Sequence, residues 1–262
     1  MVVFFDIDGT IVDEATQILP QSAVDAVAEL VRRGHQAIVN TGRPFGHIDP
    51  RVRAMAFTGY VCGCGMERIL DGKVVSRAMP EESLCRYVRD SVRECGMQVL
   101  YEGETELYSD GRWSLGAAAV REAARMHKKG FATREIDSLP HCRFMKFVTH
   151  DAPGCRREEM LRRMQPYFSC IDRDNSMVEY VLKGYSKAGG AAALLAELGC
   201  PRSQVYAIGD SANDLPMFAQ AAHTAALGDG MAQLKAQAEY VTAPVLQDGV
   251  AQALRHWGLI GA

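Results

Sequence analysis

No stretch of this 262-residue chain approaches the run of about 20 apolar residues that a membrane-spanning helix requires. Apolar runs such as Val2–Phe5 and Ala37–Val39 are broken within a few residues. Charge of one sign is equally scarce: 29 Lys and Arg stand against 32 Asp and Glu, a formal net charge of −3, with no long block of either sign. Without a basic patch there is no electrostatic footprint for nucleic acid or an anionic membrane, so a small molecule is the expected partner. A basic leader with a small-residue cleavage site is missing as well, which makes a cytoplasmic protein the expectation. The eight cysteines (Cys62, Cys64, Cys85, Cys95, Cys142, Cys155, Cys170 and Cys200) are scattered through a chain large enough to need no covalent staples, and reduced thiols are expected. Internal repeats and low-complexity segments are absent. What is there is ordinary globular composition, 48% hydrophobic and 23% charged, at a length that allows two domains.

The hydrophobic pattern describes an α/β protein. Val2-Val3-Phe4-Phe5 suits a strand buried on both faces and stops at Asp6-Ile7-Asp8-Gly9-Thr10. Val24, Val27, Ala28 and Val31 follow at helical spacing between Pro20 and Gly34, and Ala37-Ile38-Val39 gives a second buried strand ending at Asn40-Thr41-Gly42-Arg43. Strand, helix and strand of this kind form one parallel unit. The same grammar returns late in the chain: Ala191, Leu194, Leu195 and Leu198 keep helical spacing, and Val205–Ile208 forms a strand ending at Gly209-Asp210. Short strands at His223–Leu227 and Glu239–Val241 complete a doubly wound, Rossmann-like parallel sheet. Three polar clusters therefore share the carboxyl edge of one sheet.

Between the two ends the texture changes. Asp71-Gly72 marks a tight hairpin, and Leu84, Val88, Val92 and Cys95 line one face of a helix that stops at Gly96. Strand-like pieces at 97–101, 106–109, 144–149 and 177–182 and helical patterns at 117–127 and 156–164 lack polar strand ends. The expected organisation is a catalytic core from residues 1–80 and 183–262, with an inserted α+β cap at 81–182.

Two acids at i and i+2 after a buried strand repel each other unless a cation or proton intervenes. Mg²⁺ suits such a site, because it takes oxygen ligands from one or two carboxylates together with substrate phosphate and water. Asp210 offers a second strand-end carboxylate. Thr41, between a strand and a glycine, can present a hydroxyl and backbone N–H groups to a phosphate oxygen. Lys187 opens an Ala-rich helix, where a cation is unfavourable for the helix dipole unless an anion lies nearby. Singly, each is matched by a bland reading as a turn or a solvated surface group; jointly they lie where an open α/β sheet binds its ligand. Cys62 and Cys64 lack the further ligands that zinc needs and read as small buried thiols, and Gly63-Cys64-Gly65 lacks the third glycine of a dinucleotide fingerprint.

These residues together resemble the haloacid dehalogenase superfamily, in particular its Cof-type phosphatases with a large α/β cap. Asp6-Ile7-Asp8-Gly9-Thr10 matches the first motif of that family, Thr41-Gly42-Arg43 the second, Lys187 within Gly184-Tyr185-Ser186-Lys187-Ala188-Gly189-Gly190 the third, and Gly209-Asp210-Ser211-Ala212-Asn213-Asp214 the fourth. The closing Tyr240-Val241-Thr242-Ala243-Pro244 with Asp248-Gly249-Val250 is similar to the branch's C-terminal signature. One departure stands out: Cys64-Gly65 occupies the place where this branch usually has Asn-Gly.

The resemblance implies Mg²⁺-dependent hydrolysis of a phosphate monoester through an aspartyl-phosphate. Asp6 would be the nucleophile and Asp8 the general acid and base. Mg²⁺ would be held by Asp6, the backbone carbonyl of Asp8, and Asp210. Thr41, Gly42 and Lys187 would bind the transferring phosphate, with Arg43, Asn213 and Asp214 in support. A phosphotransferase or sugar-phosphate mutase would use the same intermediate, and a regulator that binds Mg²⁺ or a metabolite without turnover is a third reading, against which the presence of both Asp6 and Asp8 speaks. The cap would set specificity, with Arg112, Trp113, Arg143, Lys146, Glu179 and Tyr180 as candidate contacts, although surface charge or cap core is the commoner explanation for most of them. Sugar phosphates are the first expectation for substrate, ahead of phosphorylated cofactors such as pyridoxal phosphate or flavin mononucleotide. The oligomeric state is open.

Overall fold

The structure is a computed structural model that describes residues 1–111, 120, 124, 126, 127, 130–173 and 176–261. The chain forms two compact units, one of residues 1–42, 49–76 and 186–262, the other of residues 43–48 and 77–185.

The first unit is built on an eight-stranded sheet. Its strands are β1 (Val2–Phe5), β2 (Gln36–Asn40), β3 (Gly59–Cys62), β4 (Glu67–Leu70), β5 (Lys73–Arg77), β12 (Val205–Gly209), β13 (His223–Ala226) and β14 (Tyr240–Val241). Their spatial order is β14-β13-β12-β1-β2-β3-β4-β5. Pairing is parallel from β14 through β3, and β4 is added antiparallel to β3. The parallel majority follows from crossovers such as the helix Gln21–Arg32 between β1 and β2. All four residues of β1 are buried. Val2 and Phe4 share a core with Ala191, Leu194 and Leu195 of the helix Lys187–Glu197, while the alternate residues Val3 and Phe5 are buried on the sheet's other face. A central strand covered on both faces explains why the run carries no polar alternation. β4 and β5 are joined through Asp71 and Gly72, both at positive φ as a two-residue hairpin turn requires.

The second unit carries a six-stranded sheet of β6 (Gln98–Glu102), β7 (Leu107–Ser109), β8 (Thr133–Glu135), β9 (Lys146–His150), β10 (Phe168–Arg173) and β11 (Met177–Leu182), ordered β10-β11-β9-β6-β7-β8. It is antiparallel except between β7 and β8. Val88 and Val92 of the helix Glu82–Cys95 and Met160 and Met164 of the helix Arg157–Met164 pack with Tyr101, Phe147, Val178 and Tyr180 of the sheet. Phe147 and Tyr180, paired in register, stack their rings 4.3 Å apart. Leu100 and Val148, of opposite parity on the same strands, join Leu107, Met126 and Phe131 in a smaller cluster. The segment 43–48 packs in this unit although it lies within the span 1–80. There Gly46 runs so close to the Glu104 carbonyl that a Cβ would sit 2.0 Å from it. His47 is buried 5.6 Å from the Phe131 ring, and burial lowers its pKa to about 4. Strands β8 and β10 have no counterpart in the sequence reading, because β8 is polar throughout and β10 mixes Phe168, Cys170 and Ile171 with polar residues without strict alternation, so that neighbouring strands set their packing. None of the eight cysteines forms a disulfide. Among the described residues no helix is long and apolar enough to cross a membrane.

Candidate active site

Adjacent parallel strands end at the same edge of their sheet, and this places the residues after β1, β2 and β12 side by side. Asp6 follows β1 and is anchored by its N–H to the Ile208 carbonyl of β12 at 3.2 Å. Asp210 follows β12. Gly9 passes beside Asp210 at φ +84°, so close that a Cβ there would lie 2.4 Å from Asp210 Oδ2. Only glycine fits, since the conformation and the approach both exclude a side chain. The next residue, Thr10, donates its hydroxyl to Asp210 Oδ1 at 2.9 Å. Asp8, two residues past Asp6, is partly exposed.

Lys187 reaches this edge from the first turn of its helix, where Ser186 caps the N-terminus by accepting from the Gly189 N–H at 3.0 Å. Its ammonium has three protons and three acceptors: Asp6 Oδ1 at 2.7 Å, Asp214 Oδ1 at 2.9 Å and Asn213 Oδ1 at 3.1 Å. Burial opposes a charge on this lysine, but the carboxylates of Asp214 and Asp6 outweigh it and hold its pKa above the ordinary value. That resolves why a cation sits at a helix N-terminus: it answers the buried acids. Asp214 is fully buried, and its second oxygen accepts from the N–H groups of Asp210 and Ser211, both at 3.2 Å. Ser211 and Asp214 thus form a capping box that fixes the loop carrying Asp210. Gly209 leaves room for it, since a Cβ there would be 2.7 Å from Asp214 Oδ2.

Carboxylate oxygens of Asp6, Asp210 and Asp214 lie within 4.8 Å of one another. Burial, countered by Lys187 and reinforced by Asp214, raises the pKa of Asp6 to about 7. Burial, with the nearby charges of Asp6 and Asp214, raises that of Asp210 to about 8. One lysine therefore does not neutralise the cluster, and an all-oxygen donor set with surplus negative charge fits a hard divalent cation. Asp214 spends both oxygens on Lys187 and the backbone, whereas Asp6 and Asp210 each keep a second oxygen beyond the bonds above. They are the carboxylates best placed to hold a metal.

Thr41 is buried at the end of β2, with its N–H bonded to the Val61 carbonyl at 2.9 Å. Gly42 ends the first segment of this unit, and Arg43 opens the other unit, where its guanidinium donates to the Met126 sulfur at 3.3 Å. Asn40 is also buried at this edge, and its side-chain amide donates to the Lys187 carbonyl at 3.2 Å. Neither Thr10 nor Asn40 had a role in the sequence reading. The signal available for both was only their position at a strand end, which does not reveal a partner about 150 or 200 residues away.

The residues proposed for the second unit separate by environment. Lys146 and Glu179 are both buried and hydrogen-bonded to each other, and Arg173 donates to the other oxygen of Glu179 at 2.6 and 3.1 Å. Burial works against the Glu179 carboxylate, yet Lys146 and Arg173 overcome it and bring the pKa down to about 2. Tyr180 belongs to the apolar core, with its hydroxyl bonded to Thr149 at 3.2 Å. Arg143 is exposed. Arg112 and Trp113 lie outside the described residues.

Known proteins share this fold. The family model for haloacid dehalogenase-like hydrolases matches residues 3–254. A putative phosphatase of Bacillus subtilis, YkrA, is 27% identical over 260 residues, covering 98% of both chains. The crystal structure of a hypothetical protein from Geobacillus kaustophilus superposes with a TM-score of 0.81 at 26% identity, covering 99% of each chain. A sugar phosphatase of subclass IIB of the superfamily, BT4131, shares the fold with a TM-score of 0.78 at 22% identity over 99% of both chains. A match across nearly the whole chain, in sequence and in fold, means that this protein belongs to the haloacid dehalogenase-like hydrolase family.

Proposed function

We propose that this phosphatase hydrolyses the monoester of a small phosphorylated metabolite through an aspartyl-phosphate on Asp6. The observation that carries the reading is the junction at Lys187, which joins Asp6 to Asp214 and Asn213 beside a second strand-end acid, Asp210. Lys187 holds one oxygen of Asp6, so the carboxylate is kept in one orientation with its other oxygen available for attack on phosphorus. Asp8, partly exposed and one residue removed, protonates the leaving oxygen and then takes a proton from the hydrolytic water. Thr41 and the Gly42 backbone receive the transferring oxygens, with Lys187 supplying positive charge beside them. Asp214 and Asn213 orient Lys187, and Asp214 also fixes the Asp210 loop. Mg²⁺ would be held by Asp6, Asp210 and the Asp8 carbonyl, and would supply charge neutralisation between an anionic nucleophile and an anionic phosphate.

Sugar phosphates are the first substrate class, supported by the fold shared with a sugar phosphatase. The second unit, taken as a cap over roughly 81–182, would set the choice among them. A cytoplasmic location is in keeping with eight cysteines outside any disulfide. The test is a panel of phosphorylated metabolites assayed for phosphate release with Mg²⁺, alongside mass spectrometry of a trapped phosphoenzyme. Release confined to one substrate class, with a phosphoryl group on Asp6, is expected. Transfer to an alcohol acceptor in place of water would convert the reading to a phosphotransferase, and metabolite binding without turnover would convert it to a regulator.

A further inference from the structure

Three consecutive residues after β3 stand in the left-handed region: Gly63 at φ +56°, Cys64 at φ +55° and Gly65 at φ +87°. Left-handed residues normally occur singly, and a non-glycine side chain there is unfavourable. Such a conformation persists only where its surroundings over-determine it. Here the turn is buried and is held on two sides. On one side, the Cys64 N–H donates to the Thr41 carbonyl at 3.2 Å, and the Val61 carbonyl of β3 accepts from the Thr41 N–H, so the strand and the turn that follows it hold Thr41 on both sides of its Cα. On the other side, Gly65 touches the start of the Lys187 helix. A Cβ on Gly65 would lie 2.4 Å from the Ser186 carbonyl oxygen, and a Cβ on Gly190 would lie 2.6 Å from the Gly65 Cα and 2.5 Å from Val61. Asn40, register partner of Val61, ties the same helix from below through the Lys187 carbonyl.

We propose that the left-handed turn Gly63–Gly65 is a brace that sets the gap between Thr41 and Lys187, and that Cys64 and Gly65 are positioning residues for phosphate recognition. The inference rests on the reading of Thr41 and Lys187 as the phosphate clamp. Thr41 and Lys187 come from segments almost 150 residues apart, and through the successive residues Cys64 and Gly65 the turn meets the Thr41 carbonyl and the Ser186 and Gly190 backbone on either side of Lys187. None of its contacts described above involves Asp6 or Asp210. Loss of the brace should therefore weaken the phosphate clamp directly and reach the metal site only at second hand, through the bond from Lys187 to Asp6.

Cys64→Val puts a β-branched residue where the backbone must be left-handed, the most strained choice, and Cys64→Asn puts one of the few residues that tolerate it. Both full-length variants are compared with the parent by thermal melting, by the inhibition constant for inorganic phosphate, by kcat/KM for p-nitrophenyl phosphate, and by the Mg²⁺ concentration giving half-maximal rate. Cys64→Val should raise the phosphate inhibition constant and lower kcat/KM by about 10- to 100-fold, the scale set by a displacement of roughly 1 Å in a clamp. Its Mg²⁺ requirement should change by a much smaller factor than its phosphate affinity, and Cys64→Asn should restore phosphate affinity. A folded Cys64→Val protein with parental phosphate affinity overturns the brace, as does a parallel loss of phosphate and Mg²⁺ affinity. Should Cys64→Val not fold, Asn40→Ala, which cuts the second tie to the helix, is judged on the same two outcomes. The parent separates this idea from the function it rests on. If the parent releases no phosphate from any ester, the phosphatase reading fails, while calorimetric binding of inorganic phosphate by parent and variants still decides the brace, and no binding by the parent overturns it too.

Discussion

Protons and Mg²⁺ should compete for the acids at the end of β1 and β12. In the metal-free fold the pKa of Asp6 stands at about 7 and that of Asp210 at about 8, both far above the ordinary value of 3.8. A cation takes the ionised forms, so each group still protonated at the working pH must release its proton on binding. The logarithm of Mg²⁺ affinity should therefore climb with a slope near two below about pH 7, near one between about 7 and 8, and flatten above. Affinity gains up to ~100-fold from about pH 6 to 7 and a further ~10-fold towards pH 8 at these slopes. The stability of the metal-free protein has the matching sign. Folded pKa values above the unfolded ones mean that the contribution of these two groups is whole below about pH 4, and is lost as pH rises through about 7 to 8. Mg²⁺ should thus raise the melting temperature more at pH 8 than at pH 6. Isothermal titration calorimetry across this range, with Asp210→Asn alongside, reads the slopes directly. The variant should lose one proton's worth of slope as well as affinity. An affinity that moves less than about twofold between pH 6 and 8, or a parental slope in Asp210→Asn, would refute the assignment of these carboxylates to the metal.

Asp6→Asn should abolish any phosphoenzyme, whereas Asp8→Asn should slow turnover by about 10²–10⁴-fold and still permit the covalent species with an activated ester; mass spectrometry of the two variants distinguishes them. Lys187→Met leaves Asp6 and Asp214 buried without their cation and should cost about 3–5 kcal/mol in urea unfolding under chelation. That loss should shrink towards pH 5, where Asp6 takes up a proton, and an equal loss at pH 5 and 8 would contradict the ion pairing. In the second unit Lys146→Met removes the leading positive partner of Glu179, so the Glu179 pKa should rise from about 2 and the thermal midpoint at neutral pH should fall. An unchanged midpoint would mean that Arg173 alone sustains the buried carboxylate.

Much of the first unit is legible in the residues themselves. β1, β2 and β12 are short apolar runs flanked by helical periodicity, and a parallel sheet covered on both faces requires runs of that kind. Their polar ends fall at one edge because parallel strands begin and stop together, so Asp6, Thr41 and Asp210 are brought to a common rim by topology alone. The Asp71-Gly72 hairpin is equally local, since its positive φ values belong to those two residue types.

What the tertiary structure decided is everything that depends on groups distant in the chain. Lys187 bonds to Asp6 across 181 positions and Thr10 to Asp210 across 200, and no periodicity encodes such a meeting. Residues 43–48 pack beside Glu104 and Phe131 because Gly46 and buried His47 fit there. Lys146 and Glu179 are legible as charges, but their mutual neutralisation required β9 and β11 to pair. Cys64 is the sharpest case: its side chain predicts a buried thiol, while its left-handed backbone is imposed by Thr41 on one side and the Lys187 helix on the other. Sequence reports what each residue prefers, and a conformation held against preference is visible only when the groups that hold it are seen in place.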